Sequence, residues 1–270
     1  MPGSDPDQLF LSPPSQSDYP EEQSMELKIS VKKKLPLFEL DVAFSCSPDK
    51  LLVLIGPSGA GKTTIIRMLA GLDKPDEGTI TFNGETWVDT QEGVFVPPQK
   101  RQLGYVFQDY PLFPHLNVQK NVAFAAYDDT CVEKLMKRFD IWHLRNRKVA
   151  MISGGERQRS AICQNLARKP HVLLMDEPFS ALDAVSRKNL RKELKQLKGE
   201  LCIPIIHVTH DISEATQIGD ELLPIVQGRI VPRWLFQFRL KDLSFRRRAC
   251  TEDIWGQSDA YNDDIEVSSL

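Results

Sequence analysis

No run of about 18 consecutive apolar residues, the length a helix needs to cross a bilayer, occurs in the chain, so no segment is expected to span a membrane. Cysteine is sparse: Cys46, Cys131, Cys163, Cys202 and Cys250 are odd in number, scattered, and form no CxxC pair. That excludes a zinc knuckle, argues against a disulfide scaffold, and leaves a reduced, cytosolic protein as the expectation. A surplus of one charge is also missing. Lys plus Arg is 34 against 37 for Asp plus Glu, a formal charge of −3, which argues against a surface built throughout for nucleic acid. The first residues lack a basic start followed by an apolar run, so no secretory signal is expected. What remains is ordinary for a globular protein. The 270 residues, 41% hydrophobic and 26% charged, suffice for one large domain or two small ones with a sizeable core.

Residues 1–24 are rich in proline and serine and poor in apolar material, which predicts a disordered leader. From Leu27 the text becomes strand-like, with LKISV, then FELDVAF in alternation, then the continuous run LLVLIG at 51–56. A run that is apolar at every position suits a strand covered on both faces, as in parallel sheets flanked by helices. Residues 62–71 predict a helix ending at Gly71, and TITFNGETWV carries an Asn-Gly hairpin signal. Residues 110–170 are mostly helical in pattern, with a capped helix over SGGERQRSAICQNLARK. VLLMDEP reads as a second buried strand, NLRKELKQLKGEL as a polar-faced helix, and IPIIHVTHD as another short strand. This order predicts an α/β domain over 25–231 with a helical insertion at about 110–170. Beyond Val231 the pattern fades into a C-terminal extension, 232–270, whose segregated charges suggest a solvated terminus.

Chemistry is concentrated in Gly56-Pro57-Ser58-Gly59-Ala60-Gly61-Lys62-Thr63, followed by Thr64, which fits the pattern GxxxxGK[ST] between a strand and a helix. Glycines there let backbone N–H groups curl around phosphate oxygens at a helix N-terminus, where the dipole is positive. Lys62 is expected to reach the β- and γ-phosphates, and the Thr63 hydroxyl to coordinate Mg²⁺. Downstream, VLLMDEP places Asp176 and Glu177 at the end of a buried strand, where ligands of α/β sheets gather. Asp176 would support the Mg²⁺ shell and Glu177 would polarise an attacking water. Adjacent carboxylates repel, so one needs a cation beside it or a raised pKa, and Mg²⁺ is such a cation. Alone, an Asp-Glu pair before a proline is as readily a solvated turn.

These residues resemble the ATPase subunit of ABC transporters over roughly residues 26–231. Ile152-Ser153-Gly154-Gly155-Glu156 resembles that family's LSGGQ signature, with Ile for Leu and Glu for Gln. Gln108, in YVFQDYPLF, matches the glutamine that touches Mg²⁺ and water in the family. Ser180-Ala181-Leu182-Asp183 resembles the loop that crosses the dimer interface, and His210, in VTHD, matches the histidine that bonds the γ-phosphate. A single His after a strand is more often structural; five motifs in register favour the functional reading. Phe38 is the candidate for stacking on adenine, against the simpler reading of a core phenylalanine on an alternating strand.

The resemblance implies a mostly parallel sheet core with an antiparallel β subdomain and a helical insertion. It implies an ATPase with ATP and Mg²⁺ as ligands, working as a homodimer in which the phosphate loop of one copy faces Ser153 of the other. Two integral-membrane permease subunits and an extracytoplasmic solute-binding protein are the implied partners, with no nucleic acid, at the cytoplasmic face of the membrane. The apolar loop Tyr110–Leu116 is the candidate docking surface, or else an internal loop packed on the helical block. FELDVAF, GYVFQDYPLFPHLNVQKNVAF and SGGERQR resemble importer subunits for oxyanions, molybdate or tungstate first and sulfate next, with iron or polyamine as alternatives. Several of those carry a small sensing β-barrel after the ATPase domain; none complete is expected here. A soluble ABC ATPase acting on DNA or the ribosome is the competing class. The stretch between Gly61 and Ser153 leaves no room for a long coiled coil, and the chain carries one cassette. A catalytically dead binding module is the third option, and Lys62, Glu177 and His210 are all present.

Overall fold

The computed structural model describes residues 25–179 and 182–237. The expected leader, the pair Ser180–Ala181 and nearly all of the C-terminal extension lie outside the described residues. Eleven strands form one sheet in the order β6-β5-β4-β1-β2-β11-β10-β3-β9-β8-β7. Its parallel half holds β10 (Glu221–Val226), β3 (Leu51–Ile55), β9 (Ile205–Thr209), β8 (Val172–Asp176) and β7 (Leu103–Val106). The antiparallel half holds β1 (Leu27–Lys34), β2 (Glu39–Cys46), β4 (Glu77–Phe82), β5 (Glu85–Asp89) and β6 (Val94–Phe95). β11 (Arg229–Ile230) joins them, antiparallel to β10 and parallel to β2.

All five residues of β3, β8 and β9 are buried, which is why their sequences show no polar alternation. Alternation survives as a division between two cores, because successive side chains leave opposite faces of a strand. Leu51, Val53 and Ile55 join Leu173, Met175 and Ile205 in one core. Leu52 and Leu54 join Val172, Leu174, Ile206 and Val208 in the other. The first core is covered by α2 (Val118–Ala123), α3 (Asp129–Arg138), α4 (Gly154–Leu166), α5 (Ala184–Leu201) and α6 (Ile212–Ile218). The second packs on α1 (Lys62–Leu69) and the antiparallel arm. Truncating one fully buried leucine of β3 would cost about 2–5 kcal/mol.

The hairpin at Asn83-Gly84 forms as expected, with Phe82 paired to Glu85 across a two-residue turn and positive φ at both turn residues. Three boundaries differ from the sequence reading. β2 begins at Glu39, so Phe38 lies in the bend before it and not on the strand. α5 begins at Ala184, because the Asp183 carboxylate accepts from the N–H groups of Val185 and Ser186 and so caps the helix earlier. Past Val231, Pro232–Gln237 forms a 3-10 turn that buries Leu235 in the first core.

One buried cation fixes α1. Arg101 is 2% exposed and donates to the carbonyls of Met68 and Leu69 at 2.8 and 2.7 Å, and to that of Val96 at 2.9 Å. Its guanidinium lies over the rings of Trp87 and Phe95. Burial lowers its pKa to about 10. The carbonyl end of α1 is thereby held by the loop after β6, and the opposite end of α1 is where the candidate site begins.

Candidate functional site

The segment between β3 and α1 borders a cleft of about 570 Å³ lined by Leu35, Pro36, Leu37, Phe38, Ser58, Gly59, Gly61, Lys62, Thr63, Thr64, Gln108 and Glu177. Close packing explains two of the loop's glycines. A Cβ on Gly56 would stand 2.0 Å from the carbonyl oxygen of Ile225, so the loop leaves β3 in contact with β10. Gly61 precedes α1 at φ 100°, in the left-handed region, with the Phe38 ring 3.5 Å from where its Cβ would be. The turn Pro57–Ala60 is closed by the Ala60 N–H on the Pro57 carbonyl, and the Ala60 carbonyl accepts from Gly228 at 2.9 Å. No side chain caps the N-terminus of α1, so its first-turn N–H groups keep their capacity for an anion. Lys62 is buried, and its ammonium donates to the carbonyls of Gly56 and Pro57, each at 2.8 Å. Burial lowers its pKa, against the pull of Glu177 and Asp176.

Asp176 ends β8 at 3% exposure. Thr63 donates to its Oδ1 at 3.3 Å and the Tyr105 hydroxyl to its Oδ2 at 3.4 Å. Burial raises the Asp176 pKa, partly offset by the Thr63 hydrogen bond. A buried carboxylate beside a hydroxyl is a hard-oxygen donor set suited to Mg²⁺, and the desolvated charge on Asp176 is one that a cation would stabilise. Glu177 follows at φ 46°, unusual for a residue with a side chain. Its N–H donates to the Val208 carbonyl at 3.1 Å, and its Oε1 lies 3.0 Å from Nδ1 of His210. Glu177 and Gln108 both line the cleft.

Phe38 is half-buried in the bend at the cleft wall, not in the core of β2, so the simpler of its two sequence readings fails. Ser153, Gly154, Gly155, Glu156 and Asp183 do not line the cleft. Ser153 and Glu156 form a capping box at the head of α4: the Glu156 N–H donates to Ser153 Oγ at 3.3 Å and the Ser153 N–H to Glu156 Oε2 at 2.7 Å. The departure from Gln to Glu therefore keeps the cap and adds an anion to the first turn. Within Tyr110–Leu116, Tyr110 and Leu112 turn into the core while Pro111, Pro114 and His115 are exposed. Asn121, fully buried, holds this loop by accepting from the Phe113 N–H at 2.7 Å and donating to the carbonyls of Phe113 and Asn117. Tyr105 and Arg101 escaped the sequence reading, because an aromatic or basic residue on or beside a short strand carries no motif, and Tyr110 entered it only as part of the candidate docking loop, not as a buried residue beside Glu177.

No helix among the described residues is long and apolar enough to cross a membrane. Known proteins include relatives of this chain. Residues 40–180 match the family described as ABC transporter. The chain is 40% identical over 215 residues to the molybdate/tungstate import ATP-binding protein of Archaeoglobus fulgidus, covering 77% of this chain and 87% of that one. It is 41% identical over 201 residues to the molybdenum import ATP-binding protein of Methylococcus capsulatus, covering 73% and 56% respectively. It is 41% identical over 198 residues to the sulfate/thiosulfate import ATP-binding protein of Synechocystis, covering 70% and 54%. The chain thus spans little more than half the length of those two relatives. Among solved structures, a dimeric ATP-binding cassette in a post-hydrolysis state bound to ADP and Pi matches with a TM-score of 0.65 at 27% identity, over 76% of this chain and 96% of that one. Phosphate loop, acidic strand end, signature and sheet order therefore agree with sequence kinship: the chain belongs to the ABC transporter family.

Proposed function

We propose that the chain is the ATP-hydrolysing subunit of an ABC importer for an oxyanion, molybdate or tungstate in the first instance. The observation that carries the mechanism is the division of the site. One copy puts the phosphate loop, Gln108, Glu177 and Phe38 around a single cleft and leaves the capped N-terminus of α4 outside it. The dipole of α4 would favour a further anion at the helix head with Ser153, Gly154 and Gly155, beside the Ser153–Glu156 cap. Two copies arranged head to tail would present it to the phosphates held by the partner's loop.

In this arrangement the backbone of Gly56–Gly61 and the first turn of α1 cradle the phosphates, with Thr64 at their edge. Lys62 exchanges its two carbonyl acceptors for phosphate oxygens. Thr63, Asp176 and Gln108 would hold Mg²⁺, which would supply charge stabilisation for the transferred phosphoryl group. Glu177 accepts the proton of the attacking water, a role worth roughly 10²–10⁴ in rate. His210 orients that carboxylate from Nδ1 and keeps Nε2 for the γ-phosphate. Phe38 stacks on the adenine, on the order of 1–3 kcal/mol. Asp183 caps α5 in the turn that meets the second copy. The exposed part of Tyr110–Leu116 docks on membrane permease subunits, and an extracytoplasmic binding protein delivers the solute. The subunit then works at the cytoplasmic face of the membrane.

The oxyanion assignment rests on likeness to the importer subunits named above. Disrupting the gene in its host tests it: uptake of molybdate or tungstate falls while other solutes are unaffected, and the parental gene restores it, whereas a Glu177→Gln gene does not. Loss of sulfate uptake alone would move the assignment to sulfate.

A further inference from the structure

We propose that Tyr110 is a positioning residue for Glu177, joining the loop that carries Gln108 to the backbone of the carboxylate that activates water. The inference rests on the role given to Glu177 above. Two residues with side chains in the left-handed region, Tyr110 and Glu177, each at φ 46°, are in contact with one another. Such conformations persist where the surroundings fix them and gather at functional sites. The Tyr110 N–H closes a tight turn on the Phe107 carbonyl at 3.2 Å, and Gln108 lies within that turn. The left-handed backbone sends the Tyr110 ring inward, where it is 9% exposed among the residues of the first core. Its hydroxyl then donates to the backbone carbonyl of Glu177 at 3.4 Å.

Glu177 is thus held at three points: its N–H by Val208, its side chain by His210, its carbonyl by Tyr110. The first two belong to β9 and the loop after it. Tyr110 ties the residue instead to the segment running on into Tyr110–Leu116. A small shift of that segment moves the phenol and, through the carbonyl, the carboxylate, where displacement of about 1 Å costs heavily in rate.

The test is steady-state turnover of Mg-ATP by the full chain carrying Tyr110→Phe, which keeps the ring and removes the hydroxyl. Expected is a kcat lowered roughly three- to thirtyfold, with KM for ATP and the thermal midpoint unchanged. Tyr110→Leu, which removes the ring as well, shows the same kcat loss and a lower midpoint. Added to Glu177→Gln, Tyr110→Phe lowers the residual turnover no further, since the group it positions is gone. A Tyr110→Phe kcat within twofold of the parent would overturn the proposal, as would equal falls in midpoint for Tyr110→Phe and Tyr110→Leu. Parental turnover by Glu177→Gln would instead remove the underlying assignment of the base. An inactive Glu177→Gln with a fully active Tyr110→Phe removes the Tyr110 inference alone.

Discussion

Nδ1 of His210 lies 3.0 Å from Oε1 of Glu177, a contact between the loop after β9 and the residue after β8. The Glu177 side chain is 19% exposed and that of His210 is 57% exposed, so the carboxylate is sheltered and the imidazole reaches outward. Of the two, Glu177 lines the cleft.

The two members of the pair should fail differently. Glu177→Gln keeps the shape and removes the base, so ATP binding is retained and turnover falls by about 10²–10⁴. His210→Ala also binds ATP and hydrolyses it slowly, having lost the orienting contact. Rapid-quench turnover beside equilibrium nucleotide binding separates the effects; a parental rate from Glu177→Gln contradicts the assignment.

Lys62→Ala should weaken nucleotide binding rather than the fold. Its ammonium is buried and donates to two loop carbonyls, a position burial makes unfavourable for the charge. Calorimetry with ATP is expected to show at least a tenfold loss of affinity, the equivalent of about 1.4 kcal/mol, with no loss of thermal midpoint. Unchanged affinity would count against the phosphate-loop role.

Asp176 is buried at a cost in stability. Its folded pKa is raised above the usual carboxylate value, chiefly by burial. The folded state therefore binds a proton more tightly than the unfolded one, and stability is lost as pH rises from 3.8 through the raised folded value. At neutral pH the charged form is a standing cost. Asp176→Asn should raise the thermal midpoint without Mg²⁺ at pH 7 and flatten its dependence over that window, while abolishing Mg²⁺-dependent turnover. A midpoint that drops instead would show that the Thr63 and Tyr105 hydrogen bonds outweigh desolvation.

Arg101 is a purely structural prediction. Arg101→Leu strips the carbonyls of Met68, Leu69 and Val96 of a charged donor, which should cost at least about 2 kcal/mol. Urea unfolding measures it. A loss under 0.5 kcal/mol, the range of ordinary surface changes, would mean that water replaces the guanidinium.

Much of this was legible in the sequence wherever one local requirement dictates residue type. The phosphate loop needs glycine at fixed offsets, β3 and β8 are apolar throughout because both faces are covered, and Asn83-Gly84 suits a two-residue turn. What escaped depends on the third dimension. β10 carries Pro224, which reads against a central strand, yet the ladder to β3 ends at Pro224 paired with Ile55. α6 and β7 are too short for periodicity to declare them. The same holds for single residues. Phe38 missed the strand by one position and so reached the cleft, and the inward turn of Tyr110 depends on a positive φ that its sequence does not announce.

The central claim is that ATP is clamped between two copies of the chain, and the molar mass of Glu177→Gln in solution tests it most directly. Light scattering should give the mass of one chain with ADP and of two with Mg-ATP, with the shift abolished by Ser153→Glu, which puts a second negative charge at the head of α4. A mass that stays at one chain when ATP is bound, or a dimer indifferent to Ser153, would contradict the account.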